Sequence, residues 1–324
     1  MENFELFLEK SHTQRDYYSA GEEIKGHVAI STKGSVRVAR LSLRFIGAAH
    51  TEWHDKCTGA PFESVDRVLD EYRDLTSELS SLCDGSTELS PGEHSVAFHF
   101  KLPMDSVSTI AKDGHGVVKY FCVASLDLPD DGGDNEIVAE KEFAVTAYLN
   151  LDAPHFREPA HSSEQITKGG VFCGRIRRVK AELCVEELGL MTGETCEVTL
   201  TVENTAKRGR RKSHAGEGHK CGLISLCQQV DFKAKAKTGE WQKRSLTTAV
   251  QSQGICKANC AKKPEIRRTQ FIIPNDLPPT STKENGLIIC SYFFRIEMEE
   301  HFDVIVPVII GSHKNKKDSI NRIC

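Results

Sequence analysis

Apolar and polar residues alternate in short segments over most of the chain. Phe4, Leu6 and Leu8 form the first apolar set. Ile24, Gly26, Val28 and Ile30 form the second, with Lys25, His27 and Ala29 between them. Leu41-Leu43-Phe45, Phe98-Phe100-Leu102, Val118-Tyr120-Cys122-Ala124-Leu126 and Phe143-Val145-Ala147-Leu149 follow. Period-two alternation predicts half-buried β-strands. Lys33-Gly34-Ser35, Ser90-Pro91-Gly92 and Asp131-Gly132-Gly133 read as turns between them. One segment departs from this. Val65, Val68, Leu69, Tyr72, Leu75, Leu79 and Leu82 recur at spacings of three and four, which predicts a helix over Ser64–Leu82.

The stretch Asn150–Gly170 has no apolar period and carries Pro154, Pro159, Gly169 and Gly170, the composition of a surface linker. Beyond it the earlier pattern returns. Tyr18-Ser19-Ala20-Gly21-Glu22 is echoed by Leu190-Met191-Thr192-Gly193-Glu194, and each Gly-Glu introduces an alternating strand. A glycine there supplies a positive-φ turn at no steric cost. Leu41–Phe45 is answered by Leu223–Val230, and Phe98–Pro103 by Thr269–Pro274. Val118–Leu126 is answered by Ile288–Ile296, and Phe143–Leu149 by Phe302–Ile310. Landmarks repeated in the same order indicate internal duplication. The expected class is all-β, as two tandem sandwiches. The first spans 1–152, a linker 153–169, the second 170–311 and a short tail 312–324.

Composition fits this picture. Hydrophobic residues at 39% and charged residues at 27% describe an ordinary globular chain, without a run of apolar residues long enough to span a bilayer. The acidic, alternating N-terminus is unlike a signal peptide. The twelve cysteines are scattered, and Cys122, Cys196 and Cys290 fall on strand faces, so reduced thiols in the cytosol are expected. The net charge of −4 conceals an asymmetry. Residues up to Asp152 carry 14 Lys+Arg against 27 Asp+Glu, and the rest carry 28 against 19.

Catalytic signatures are missing: there is no Gly-x-Ser-x-Gly elbow, phosphate-binding Gly-Lys-Ser/Thr loop or His-Glu-x-x-His pair. The chain is therefore expected not to be an enzyme and to need no cofactor. His214, His219, Cys221 and Cys227, with Cys256 and Cys260, match no zinc spacing, so no metal site is assigned. The basic run Lys207, Arg208, Arg210, Arg211 and Lys212 is a candidate contact for an anionic membrane, with Lys233, Lys235 and Lys237 extending its field. A nuclear localisation signal and a plain solvated loop are the competing readings. A phosphate on Ser213 would weaken membrane attraction. Without interleaved aromatics to stack bases, nucleic-acid binding is not expected.

Several of these stretches together resemble one family. Tyr18–Val28, Leu41–Ala49, Leu89–His94 ahead of Phe98–Pro103, Gly116–Tyr120 and Val304–Gly311 are similar in order and spacing to the alpha-arrestins, the arrestin domain-containing proteins. The resemblance covers about 1–311 and implies two immunoglobulin-like β-sandwich domains, the arrestin fold. It also implies an extended conformation over Ser64–Leu82, against the helical spacing. In function it implies a cytosolic adaptor, peripherally at the plasma membrane or endosomes, that links membrane-protein cargo to ubiquitination, endocytosis and sorting. A HECT-type ubiquitin ligase is an expected partner by resemblance alone. The family's Pro-Pro-x-Tyr motif has no match, since Pro278-Pro279 is followed by Thr280-Ser281. Arrestin relatives bind phosphorylated tails through basic residues near the first strand and the domain junction. Lys10, Arg15, Arg177 and Arg178 occupy comparable positions. The alternatives are a thioredoxin-binding or redox-linked regulator, and a sorting-coat subunit with the same fold.

Overall fold

A computed structural model describes residues 1–11, 15–83, 85–129, 136–168, 177–206, 222–254, 264–298 and 302–315. Almost all of them lie in strands or short turns. The chain divides into two compact units. Unit 1 holds Met1–Tyr148, Phe232–Arg244 and Lys283–Ile288. Unit 2 holds Leu149–Asp231, Ser245–Thr282 and Ile289–Cys324.

In unit 1 the strands are β1 (Asn3–Leu8), β2 (Tyr17–Ser19), β3 (Glu23–Thr32), β4 (Val36–Arg37), β5 (Arg40–His54) and β6 (Pro61–Asp74). They continue as β7 (Glu88–Leu89), β8 (Gly92–Lys101), β9 (Ile110–Lys112), β10 (Gly116–Asp127) and β11 (Glu136–Thr146), with one short helix, α1 (Thr76–Ser81). A three-stranded sheet runs β1-β3-β8, and a second sheet runs β6-β5-β10-β11-β2. The alternation seen in the sequence builds the core between them. Leu6, Ile24, Val28, Ile30, Val96 and Phe100 meet Leu43, Phe45, Tyr120, Cys122 and Val145. Phe45 and Phe100 stack with centroids 4.1 Å apart.

Unit 2 is built the same way. A 3-10 turn, Pro154–Arg157, precedes β12 (Ala160–Lys168), β13 (Arg177–Val185), β14 (Gly189–Met191) and β15 (Thr195–Ala206). Then come β16 (Leu223–Ala236), β17 (Trp241–Gly254), β18 (Glu265–Ile272), β19 (Ile288–Met298) and β20 (Phe302–Gly311). A four-stranded sheet runs β12-β13-β15-β18, and the second runs β14-β20-β19-β16 with β17 on β16. Phe271 of one sheet meets Phe294 of the other edge to face, 5.0 Å apart.

The duplication holds at the level of single hydrogen bonds. β2 pairs in parallel with β11, and β14 with β20. Gly21 and Gly193 both adopt positive φ, 81° and 79°. The Leu102 N–H donates to the Glu22 carbonyl and the Ile273 N–H to the Glu194 carbonyl, each at 2.9 Å. The Val145 N–H is received by Thr109 Oγ1 and the Ile310 N–H by Thr280 Oγ1, each at 2.9 Å.

Two expectations need correction. The helix over Ser64–Leu82 is mostly strand β6, and only Thr76–Ser81 is helical. A bulge between Gly47 and Ala48 of β5 leaves Val68 without an opposite residue, so Val68 and Leu69 both pack toward the core. One inserted residue shifts the phase of a strand, and the spacing then imitates a helix. Val65 and Tyr72 are exposed and take no part in the core. Within the linker expected over 153–169, Ala160–Lys168 form β12, paired residue for residue with β13. β12 pairs on that side only and buries little, so its sequence lacks an apolar period.

Candidate functional site

The candidate site lies where β1 ends in unit 1. Pairing of β1 with β3 continues one residue past Leu8, through the Glu9 N–H and the Lys25 carbonyl at 2.8 Å. Ser11 is buried, and its hydroxyl donates to Glu22 Oε1 at 2.7 Å. Glu22 Oε2 accepts the Ser19 N–H at 2.8 Å, and the Tyr18 hydroxyl donates to the Glu9 carbonyl. Burial pushes the Tyr18 hydroxyl above its ordinary range, helped by the charges of Glu22 and Glu9. Gly21 allows this arrangement, because its positive φ turns the chain so that Glu22 faces back toward Ser11 and Ser19.

Lys10 therefore projects from a backbone fixed on both sides, and it is exposed. Arg15 is also exposed. Its Nη1 donates to the Tyr17 hydroxyl at 2.9 Å, and its Cζ lies 5.5 Å from that ring's centroid. β2, which carries Tyr17, is held by β11. Among the described residues neither cation is in an ion pair, so both can receive an anion. Beside them β1 pairs only with β3, among the described strands, which leaves one side of its backbone open. An open strand edge accepts an extended peptide by main-chain hydrogen bonds.

The other expected residues are placed differently. Arg177 and Arg178 open β13 in unit 2, in register with Lys168 and Thr167 of β12 and with Ala206 and Thr205 of β15. The basic run Lys207–Lys212 lies outside the described residues. Lys233 and Lys235, expected to extend its field, have partners in unit 1. Lys233 Nζ donates to the Glu284 carbonyl at 3.1 Å, and Lys235 Nζ lies 5.9 Å from the Trp241 ring. Of the loose cysteine and histidine set, Cys227 is buried in β16, and the rest lie outside the described residues.

Sequence reasoning missed two groups of long-range contacts. In unit 1 Trp53 Nε1 donates to Gln242 Oε1 at 2.6 Å. Arg244 donates to the His54 carbonyl at 2.8 Å, with its guanidinium 5.0 Å from the Trp53 ring. In unit 2 Asp152 accepts both the backbone and the side-chain amide of Asn315 at 2.7 Å, and these bonds hold its carboxyl below the usual range. Each pair is separated by well over a hundred residues, and no local pattern announces such contacts.

Comparison with known proteins agrees with this architecture. Residues 7–152 match the family model for the arrestin (or S-antigen) N-terminal domain, and residues 177–315 match the C-terminal domain. Arrestin domain-containing protein 17 of Caenorhabditis elegans is 25% identical over 320 residues, covering 96% of this chain and 71% of that protein. Arrestin domain-containing protein 4 of Mus musculus is 24% identical over 59% of this chain and 46% of its own length. Thioredoxin-interacting protein of Rattus norvegicus is 24% identical over 59% of this chain and 48% of its own. The chain thus spans about half the length of the mammalian relatives it matches. With both domain models matched in order and the duplicated sandwich in place, this chain belongs to the arrestin family, on its alpha-arrestin branch.

Proposed function

We propose that this protein is a non-enzymatic adaptor that captures an extended segment of a membrane protein's cytoplasmic tail and links it to ubiquitination, endocytosis and sorting. The open side of β1 beside Lys10 and Arg15 carries this reading. Main-chain pairing along β1 supplies affinity, and the two cations select an acidic or phosphorylated residue in the tail. Arg177 and Arg178 offer a second basic contact from unit 2, and the run Lys207–Lys212 holds the protein at anionic cytoplasmic leaflets of the plasma membrane or endosomes. A HECT-type ligase is the partner that the family reading supplies.

Fluorescence anisotropy with a phosphorylated cargo-tail peptide tests the first step. Replacing Lys10 and Arg15 together with alanine should weaken binding about tenfold or more, as removal of charge-assisted hydrogen bonds does. Unchanged affinity in that variant would sink the reading. Vesicles of anionic lipid test the membrane contact, whose loss is expected on neutralising Lys207–Lys212.

A thiol-linked partner is the second reading, favoured by the similarity to thioredoxin-interacting protein and by Cys57, which is exposed. Burial pushes the thiols of Cys122 and Cys196 up to about 12, which leaves them poor nucleophiles. Fast alkylation confined to one cysteine would support this reading. Slow, uniform labelling of all of them would remove it.

A further inference from the structure

Strand β18 closes one side of the four-stranded sheet of unit 2 and pairs only with β15 among the described strands. Two hydrogen bonds fix the direction of its backbone. The Ile273 N–H donates to the Glu194 carbonyl at 2.9 Å, on the β15 side. The Gln270 carbonyl instead accepts the side-chain amide of Gln253, from β17, at 2.6 Å. Backbone groups of successive strand residues point to opposite sides. Arg267, Thr269 and Phe271 therefore direct theirs at β15, and Ile266, Arg268, Gln270 and Ile272 direct theirs at the open edge.

Those same four residues carry exposed side chains. Ile266 and Ile272 are each 62% exposed, as exposed as any large apolar side chain described. Natural proteins usually blunt an open edge with charge rather than leave isoleucines on it. The charges that are present are already neutralised, Arg268 by Glu197 at 3.7 Å and Arg267 by Glu265.

The spacing identifies what covers the edge. Ile266 and Ile272 lie at equal distances in sequence on either side of Thr269. We propose that β18 is a self-association edge, where two copies of the chain pair antiparallel about a two-fold axis through Thr269. In that register Ile266 meets Ile272 of the second copy twice, and Arg268 meets Gln270 of the second copy twice. No like charges stand directly opposite. The residues that exchange hydrogen bonds across the axis are the four whose backbone faces outward. Gln253 competes with this pairing by occupying the Gln270 carbonyl, so its side chain acts as a cap on the unpaired edge. One short strand pair covers far less than the ~1,200 Å² of a stable interface, so the dimer is weak and dissociates readily.

Sedimentation velocity of the full chain over rising concentration tests this. The expected result is a reversible monomer–dimer equilibrium. Ile266→Lys should weaken it about tenfold or more, because each dimer loses two buried isoleucine contacts. Gln253→Ala should strengthen it several-fold by removing the cap. Thr269→Cys should give, on mild oxidation, a 269–269 disulfide identifiable by mass spectrometry. A non-hydrogen-bonded antiparallel pair has its Cα atoms ~4.5 Å apart, within disulfide range. Monomer at every concentration in both the unaltered chain and Gln253→Ala would overturn the proposal. A dimer indifferent to Ile266→Lys, or one lacking the 269–269 link in Thr269→Cys, would overturn it equally.

Discussion

The two units share a frame and differ in what surrounds it. In each a buried tyrosine on a central strand donates to a carbonyl in the loop before it: Tyr120 to Val107 and Tyr292 to Pro278, both at 2.7 Å. In unit 1 the Tyr120 ring lies against Gly47, where an added Cβ would come within 2.5 Å of it. In unit 2 the Tyr292 hydroxyl also accepts an amide hydrogen from Gln228 at 2.9 Å. One copy fits its tyrosine by removing a side chain and the other by adding a hydrogen bond. Duplicated domains keep the bonds that fix their turns, and they diverge where packing has more than one solution.

That comparison can be broken at several points. The largest effect is expected at Gly47→Ala, which forces a methyl group into the Tyr120 ring. Overpacking of this kind costs about 1–3 kcal/mol. Hydrogen exchange should show the loss in β5 and β10 and leave unit 2 protected. Equal loss in both units would mean that they unfold together. Next comes the tyrosine pair. Tyr292→Phe strands two buried groups and should cost about 2 kcal/mol, whereas Tyr120→Phe strands one and should cost about 1 kcal/mol. Chemical denaturation followed separately in each unit would reveal the order, and equal costs would deny Gln228 a share.

Smaller still is the threonine pair. Thr109→Val and Thr280→Val each remove the acceptor of one backbone N–H, at about 1 kcal/mol or less, and should match each other. A difference well beyond that would show that the duplicated bonds are not equivalent. The smallest effect concerns acid. In unit 1 the carboxyl of Asp55 is held down to about 2 by hydrogen bonds from Thr58, Cys57 and Gln242, and that of Asp70 to about 2 by bonds from Arg44 and Arg67. A depressed carboxyl contributes stability above its ordinary value of 3.8, and that contribution is lost as pH falls through about 2. Both groups lie at the surface, so only slight loosening of β5 and β6 is expected between these values, by circular dichroism. Asp55→Asn should remove part of it.

Much of this architecture was legible in residue order. Period-two alternation found the core faces of β3, β8, β10 and β15, because side chains on a strand alternate between core and solvent. Gly21 and Gly193 announced their turns because few residues other than glycine accept that φ. Pattern failed at β6, where a bulge changed the phase, and at β12, where little is buried. Lys10 and Arg15 were found by resemblance and charge. The open backbone beside Lys10 was not, since nothing in a strand's own residues records whether a neighbour lies alongside.

The sequence by itself determined the class of fold, its duplication and the turns that punctuate it, because these depend on local periodicity and backbone sterics. The tertiary structure alone decided which strands are left as edges, which lysines have partners and which way each backbone row faces. β18 shows the division plainly. Its two exposed isoleucines can be read in the chain, but only pairing with β15 on one side leaves their backbone groups open on the other. Such properties depend on contacts between residues far apart in the chain, and local patterns carry no record of them.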